Sequence, residues 1–140
     1  MKLTKEEILS RLAQSCKGTL METLDITYTD VGEDFLVAQM PVTPKVHQPE
    51  GVLHGGATVA LAESVGSAAS FIFLNGQEVV VRGLEISANH IKSKSKGMVF
   101  AKASFIHKGR TTQIWNIDVV DEQDVLISKV KLTTIVLPKK

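Results

Sequence analysis

The 140 residues make one domain's worth of chain, enough for one core and too few for two. A formal charge of +1 excludes a globally basic nucleic-acid binder and a highly charged disordered tail. The single cysteine, Cys16, excludes an intramolecular disulfide and a cysteine-built zinc cage, and fits a reducing, cytoplasmic compartment. Residues Met1–Glu7 hold no apolar run, so no secretory signal is expected. Thr4 to about Ser15 reads as a short amphipathic helix. Thr4 with Glu7 forms a capping-box pattern, and Ile8, Leu9, Leu12 and Ala13 share one face. Leu24–Thr29 and Asp34–Met40 read as strands around the turn signal Val31-Gly32-Glu33-Asp34, and Pro41 to Pro49 as a loop.

From Gly55 to Leu74 the chain runs twenty residues with a single charge, Glu63. Length alone admits a membrane span, but an ionised carboxylate near a bilayer centre is costly. The expectation is therefore a helix, roughly Ala57–Leu74, buried by protein on nearly every side and closed by Asn75-Gly76. Phe71, Phe73 and Met98 read as core. Four strand-like runs follow: Val79–Ile91, Met98–Ile106, Thr112–Val120 and Val125–Val136. Val and Ile together supply 26 residues, in keeping with so much strand. The short connections at Lys96-Gly97, Lys108-Gly109 and Asp121–Asp124 favour antiparallel hairpins. In the last run Lys129, Lys131 and Thr133 alternate with Val130, Leu132 and Thr134, which predicts one wet face. No repeat or linker divides the chain, so residues 1–140 read as one α+β domain: an antiparallel sheet of about six strands curved around one long apolar helix.

The near-zero net charge hides an asymmetry. Lys92, Lys94, Lys96, Lys102, Lys108 and Arg110 fall in a window without an acid, leaving −5 for the remainder. Such a strip suits phosphate, and the loops carrying Lys92/Lys94/Lys96 and Lys108/Arg110 are expected to converge. With few aromatics in the window, a small phosphorylated ligand fits better than nucleic acid. His47, His54, His90 and His107 match no zinc signature, so no metal is expected.

Glu63 is the residue that needs an explanation, because a buried carboxylate is expensive unless paired, protonated or functional. Gly55-Gly56 open the helix, where free backbone N–H groups and the helix dipole suit a developing oxyanion. Gln48 and His54 lie just before that point, and Ser67 stands one turn beyond Glu63 on the same face, placed to hold a water. Glu63 and Gly55 are eight residues apart, about 12 Å at ~1.5 Å per residue, too far for one helix to aim both at one carbon. Two antiparallel helices from two subunits would meet that need, so a dimer with composite sites is expected.

The block from His47 to Ser67, with its Leu53-His54-Gly55-Gly56-Ala57 and Ala62-Glu63 pairings, resembles the hotdog-fold acyl-CoA thioesterases. The resemblance is nearest to the phenylacetate-degradation-type branch, which includes 4-hydroxybenzoyl-CoA thioesterases of the Arthrobacter type and 1,4-dihydroxy-2-naphthoyl-CoA hydrolases of menaquinone synthesis. It continues through Gly83–His90 and weakly to Leu132-Thr133-Thr134. It implies a hotdog fold with a short N-terminal helix, paired into a homodimer and then a dimer of dimers. It implies thioester hydrolysis, with Glu63 as nucleophile or general base and the Gly55 amide polarising the carbonyl. Gln48 and His54 would position the thioester and Ser67 the water. Asn89 and His90 would line the acyl pocket or its entrance. Lys92, Lys94, Lys108, Gly109 and Arg110 would meet the nucleotide phosphates. Coenzyme A enters as part of the substrate, with no separate cofactor and no nucleic-acid or membrane partner. Glu50 stands where close relatives usually carry an apolar or aromatic residue, so the motif leaves the acyl group open. The rival reading is a non-catalytic module of the same fold that binds acyl-CoA.

Overall fold

The computed structural model describes residues 2–74 and 78–139. The expected closing signal at Asn75-Gly76 lies outside the described residues. Helix α1, Lys5–Ser15, starts where expected. The Thr4 hydroxyl accepts the Glu7 N–H at 3.1 Å and the Glu7 carboxylate accepts the Thr4 N–H at 3.2 Å, so two orphan donors of the first turn are satisfied. A four-residue helix, α2 (Leu20–Thr23), occupies a stretch with no periodicity to announce it.

Strands β1 (Thr27–Val31) and β2 (Phe35–Val42) flank the Val31–Asp34 turn. Pro41 belongs to β2 rather than to a loop, which corrects the sequence reading. The reason is positional. Strand β1 pairs with β2 only as far as Gln39, so the N–H that Pro41 lacks is missed by no strand on that side. Helix α3, Gly55–Phe73, begins two residues earlier than expected. Strands β3 (Val79–His90), β4 (Gly97–Lys108), β5 (Thr112–Val120) and β6 (Leu126–Pro138) complete one antiparallel sheet in the order β1-β2-β4-β5-β6-β3.

Two of the expected hairpins form, β4–β5 and β5–β6. The third does not: β3 leaves for the far edge, where it pairs with β6, and β4 returns beside β2. A six-residue connection can make that crossing because an extended residue spans ~3.3 Å and the sheet is curved. This routing leaves β3, twelve residues long, as an edge strand paired on one side only.

The sheet encloses α3 on one side. Thr58, Leu61, Ala62, Val65, Gly66, Ala69 and Ser70 are buried against alternate residues of the strands. Ala38, Ala101 and Ala103 are fully buried in the sheet and keep it low enough for the helix to settle close. At Gly66 an added Cβ would stand 2.5 Å from Leu132 Cδ2 and 3.0 Å from Ile117 Cδ1, both in the core. Gly66→Val therefore overpacks the helix–sheet contact, and thermal melts are expected to show Tm lower by roughly 5–10 °C. A buried polar chain fixes the far end of the helix. The Trp115 indole donates to Ser70 Oγ at 2.7 Å, Thr134 Oγ1 donates to Gln113 Oε1 at 2.9 Å, and Gln113 Nε2 donates to the Gly109 carbonyl at 3.1 Å. Each side chain in it finds a partner, so the network sets register without leaving an orphaned group.

Within the protomer α3 is not buried nearly all round, as the sequence reading expected it to be. Although its length and hydropathy would suit a membrane span, only 39% of that apolar window is buried in the protomer. One curved sheet covers one side of a helix, and the other side, with Ala60, Glu63, Ser64, Ser67 and Phe71, opens onto a groove of about 1870 Å³. Phe71, expected in the core, is 46% exposed there. Phe73 packs on the core as expected. The wet face predicted for the last strand is present, with Lys129 and Lys131 exposed and Val130, Leu132 and Thr134 buried. Cys16 is buried on the N-terminal segment, and burial pushes its thiol pKa up, which leaves it a poor nucleophile.

Candidate active site

The start of α3 is built by the loop before it. Gly51, at φ +79°, lets the chain turn back so that His47 and Leu53 form an antiparallel bridge. Gln48 Oε1 accepts the Glu50 N–H, leaving its amide nitrogen without a partner among the described residues. The loop is tied to the β3–β4 connection. The Leu53 N–H donates to the Lys94 carbonyl at 2.7 Å, and the His47 ring lies 2.9 Å from the Ser95 carbonyl.

His54 is the N-cap of α3, its Nδ1 accepting the Gly56 N–H at 2.8 Å. An accepting Nδ1 carries no proton, so the ring presents Nε2–H outward. The Ala57 and Thr58 amides donate to the His54 carbonyl. The Gly55 N–H is therefore the one helix-start donor without a partner among the described residues, at the positive end of a 19-residue helix. His90 comes to the same place from β3. Its Nε2 would be 2.7 Å from a Cβ at Gly55, and its Nδ1 lies 2.7 Å from Ser128 Oγ. Glycine at 55 thus makes room for the imidazole.

Glu63 and Ser67 sit two and three turns further along, on the groove side. Glu63 is exposed in the protomer, which corrects the expectation of a buried acid. Its carboxylate rests against β3 where Gly83 leaves space: a Cβ there would fall 2.5 Å from Oε2. Tyr28 donates to the Ser64 carbonyl at 3.3 Å across the same groove, and burial raises its phenol pKa well above the ordinary range.

The structure joins Gly55, His54 and His90 at one point, with Gln48 in the loop that leads to it. It holds Glu63 and Ser67 apart from them, as the helix spacing predicts. Asn89 is separated from His90: residues alternate along a strand, so while His90 turns to α3, Asn89 points to the opposite face and is exposed. The convergence expected of the basic residues also fails within the protomer. Lys92 and Lys94 precede β4, whereas Lys108, Gly109 and Arg110 follow it, and β4 is twelve residues, roughly 40 Å at about 3.3 Å each. Gly109 serves its turn through its backbone, donating to the Thr112 carbonyl at 3.0 Å. Lys108 lies over the Phe105 ring at 5.2 Å. Lys92 and Arg110 are exposed.

Lys94 is already engaged, 2.5 Å from Glu122, whose other carboxylate oxygen accepts the Met98 N–H at 2.9 Å. Hydrogen bonding from Lys94, then from backbone amides, holds the Glu122 carboxyl down at about 2 against an ordinary 4.5. A depressed folded-state pKa means that this stabilisation is complete above about pH 4.5 and is lost as pH falls toward 2. Acid unfolding followed by circular dichroism is expected to show that dependence in the native chain. Glu122→Gln should flatten it between those values. Gly83 and Ser128 escaped the sequence reading. Gly83 falls in the Gly83–His90 stretch with no role of its own and Ser128 in no motif, and only the folded chain reveals what each one touches.

The thioesterase superfamily profile matches residues 50–128. A 1,4-dihydroxy-2-naphthoyl-CoA hydrolase of Escherichia coli is 43% identical over 121 residues, 86% of this chain and 88% of that protein. The proofreading thioesterase EntH of Cronobacter sakazakii is 43% identical over 92% of this chain and 93% of its own. Among solved structures, a thioesterase of Haemophilus influenzae superposes with a TM-score of 0.91 at 39% identity, covering 99% of this chain and 93% of that one. A thioesterase of Pseudomonas aeruginosa superposes with the same score at 38% identity over 94% of each chain.

Proposed function

The chain belongs to the thioesterase superfamily and is an acyl-CoA thioester hydrolase, and on that premise we propose how its two half-sites divide the reaction. The thioester carbonyl lies at the start of α3, its oxygen receiving the Gly55 N–H, with Gln48 and His54 holding the thioester in place. Glu63 acts from the groove side, either attacking the carbonyl carbon or taking a proton from water held by Ser67. On the first route the carbon–sulfur bond breaks to leave a mixed anhydride on Glu63, which water then hydrolyses to release the acid and restore the carboxylate. On the second the water attacks the carbonyl carbon as Glu63 takes its proton, and the carbon–sulfur bond breaks. On both the thiolate leaves as coenzyme A and takes up a proton, and the acyl group leaves as the carboxylate. The observation that carries this reading is the pairing of an unpartnered Gly55 amide at a helix start with an exposed Glu63 on the same helix.

Since one helix keeps these groups about 12 Å apart, the site is completed by a second copy laid antiparallel. Two features support a homodimer there. The β3 edge is long and unpaired on one side, and Leu84 on it is 56% exposed. An open edge of this length is a template for another strand. The α3 face beside it, with Phe71, is the apolar surface that a second copy would cover. Dimers then pair into a dimer of dimers. In that assembly Lys92, Lys108, Gly109 and Arg110 of different subunits meet the phosphates of coenzyme A, and Lys94 serves through its ion pair with Glu122. Asn89 lies on the outward face, where it would meet the nucleotide rather than the acyl group.

The substrate is an aromatic or medium-chain acyl-CoA. 1,4-Dihydroxy-2-naphthoyl-CoA, named in the Escherichia coli relative, is the first to test, and its turnover would put the enzyme in menaquinone synthesis. The location is cytoplasmic. No metal or further cofactor is needed, because a carboxylate and amide donors supply both the base and the oxyanion stabilisation. A steady-state assay over aromatic and straight-chain acyl-CoAs is expected to give turnover that dialysis against a chelator leaves unchanged. Thermal stabilisation by coenzyme A with no turnover on any thioester would favour the binding-module reading instead.

A further inference from the structure

Ser128 lies on β6, directly opposite His90 in the register with β3. It is 1% exposed, and its hydroxyl has one hydrogen-bond partner among the described residues, His90 Nδ1 at 2.7 Å. Two proton arrangements fit that distance. If Nδ1–H donates to the serine, the buried hydroxyl proton has no acceptor, and Nε2 turns a bare lone pair toward the helix start. If the serine donates to Nδ1, every group in the pair is satisfied, and the ring proton must sit on Nε2. Only the second arrangement leaves no buried donor stranded.

The position of Nε2 gives this choice its consequence. It points at the first residue of α3, so close to Gly55 that a methyl group there would overlap it. The Gly55 N–H is free at the same point. We infer that Ser128 is a positioning residue that fixes the His90 tautomer, and that His90 Nε2–H stands beside the Gly55 amide as a second donor to the thioester oxygen. This rests on the proposed assignment of the helix start as the carbonyl site. It adds a residue outside the motif block, and it moves His90 from lining the acyl pocket to contacting the reacting carbonyl. A second donor is complementary to the oxyanion, whose charge grows in the transition state, so its loss should fall on kcat rather than KM.

Two measurements test this separately. Long-range proton–nitrogen spectra of protein labelled at histidine nitrogen read the His90 tautomer without any substrate. The wild type is expected to carry the proton on Nε2, and Ser128→Ala to shift the ring toward a mixture. In steady state, His90→Ala should lower kcat by ~100-fold and Ser128→Ala by ~10-fold, with KM changed less than ~3-fold. Because the serine acts through the histidine, the double variant should be no slower than His90→Ala alone. A wild-type proton on Nδ1 overturns the inference. So does Ser128→Ala with unaltered tautomer and kcat, or a double variant in which the two losses multiply. If Ser128→Ala does not fold, the wild-type tautomer decides the serine's part and His90→Ala the histidine's. Absence of any thioester turnover by the wild type counts against the proposed function, while the spectra still read the Ser128–His90 pair.

Discussion

Glu63→Gln is expected to lower kcat/KM by at least ~100-fold on whichever acyl-CoA is turned over fastest, while the melting curve stays in place. The substitution keeps the shape of the side chain and removes its charge. A neutral amide neither attacks a thioester carbon nor accepts a proton from water, so both routes open to Glu63 close together. The structure says why stability should not follow. Glu63 is exposed in the protomer, and among the described residues its carboxylate has no hydrogen bond or ion pair to lose. A substitution that keeps the side chain's shape and breaks no hydrogen bond or ion pair within the protomer changes stability by only about ±0.5 kcal/mol. Wild-type kcat/KM in Glu63→Gln would remove the residue from the mechanism. A single turnover in water enriched in heavy oxygen then separates the two routes. Label in the Glu63 carboxylate marks attack by the side chain, because only a mixed anhydride opened by water at the Glu63 carbonyl puts it there.

The fold was legible in the sequence because its strongest signals are periodic. Alternation in the last strand and the Thr4–Glu7 capping box are local features, and local features survive translation into structure. What failed was non-local. No pattern of the 91–96 connection distinguishes a hairpin from a crossing, since pairing partners are chosen by the whole sheet, and β3 found β6 instead of β4. The apolar run of α3 predicted burial but did not name what covers it. One sheet covers half the helix, and the other half is the surface that holds Glu63. The separation of Glu63 from Gly55 followed from helix rise alone, so the spacing of the two groups was readable in advance. Convergence of the basic strip within one protomer was misjudged for a geometric reason: nearness in sequence across a twelve-residue strand places Lys92 and Arg110 at opposite ends of it. The ion pair of Lys94 was not legible because its partner, Glu122, lies 28 residues away.

Gly83→Ala gives the sharpest test of how the Glu63 carboxylate is held, because activity and stability are expected to move in opposite directions. Gly83 lies in β3 just before the bulge that shifts the register with β6, and its φ is not in the left-handed region. Alanine therefore fits the backbone, and replacing glycine at such a position stabilises by about 0.4–1 kcal/mol through the unfolded chain. The new Cβ would fall 2.5 Å from Glu63 Oε2 and 3.8 Å from Leu132 Cδ1. The second contact is ordinary and the first is impossible, so what yields is the free end of the Glu63 side chain. Movement there costs little in folding, because the carboxylate has no partner to break away from among the described residues. It costs much in chemistry, since ~1 Å of misplacement in a reacting group is worth up to ~100-fold in rate. The expected result is kcat lower by at least ~10-fold, KM within ~3-fold and Tm unchanged or slightly raised. With Glu63→Gln already present, Gly83→Ala should take away nothing further, since both act on one carboxylate. Full activity in Gly83→Ala would mean that Glu63 works from a different rotamer than the one β3 accommodates. A fall in Tm that tracks the fall in kcat would return Gly83 to a purely structural role.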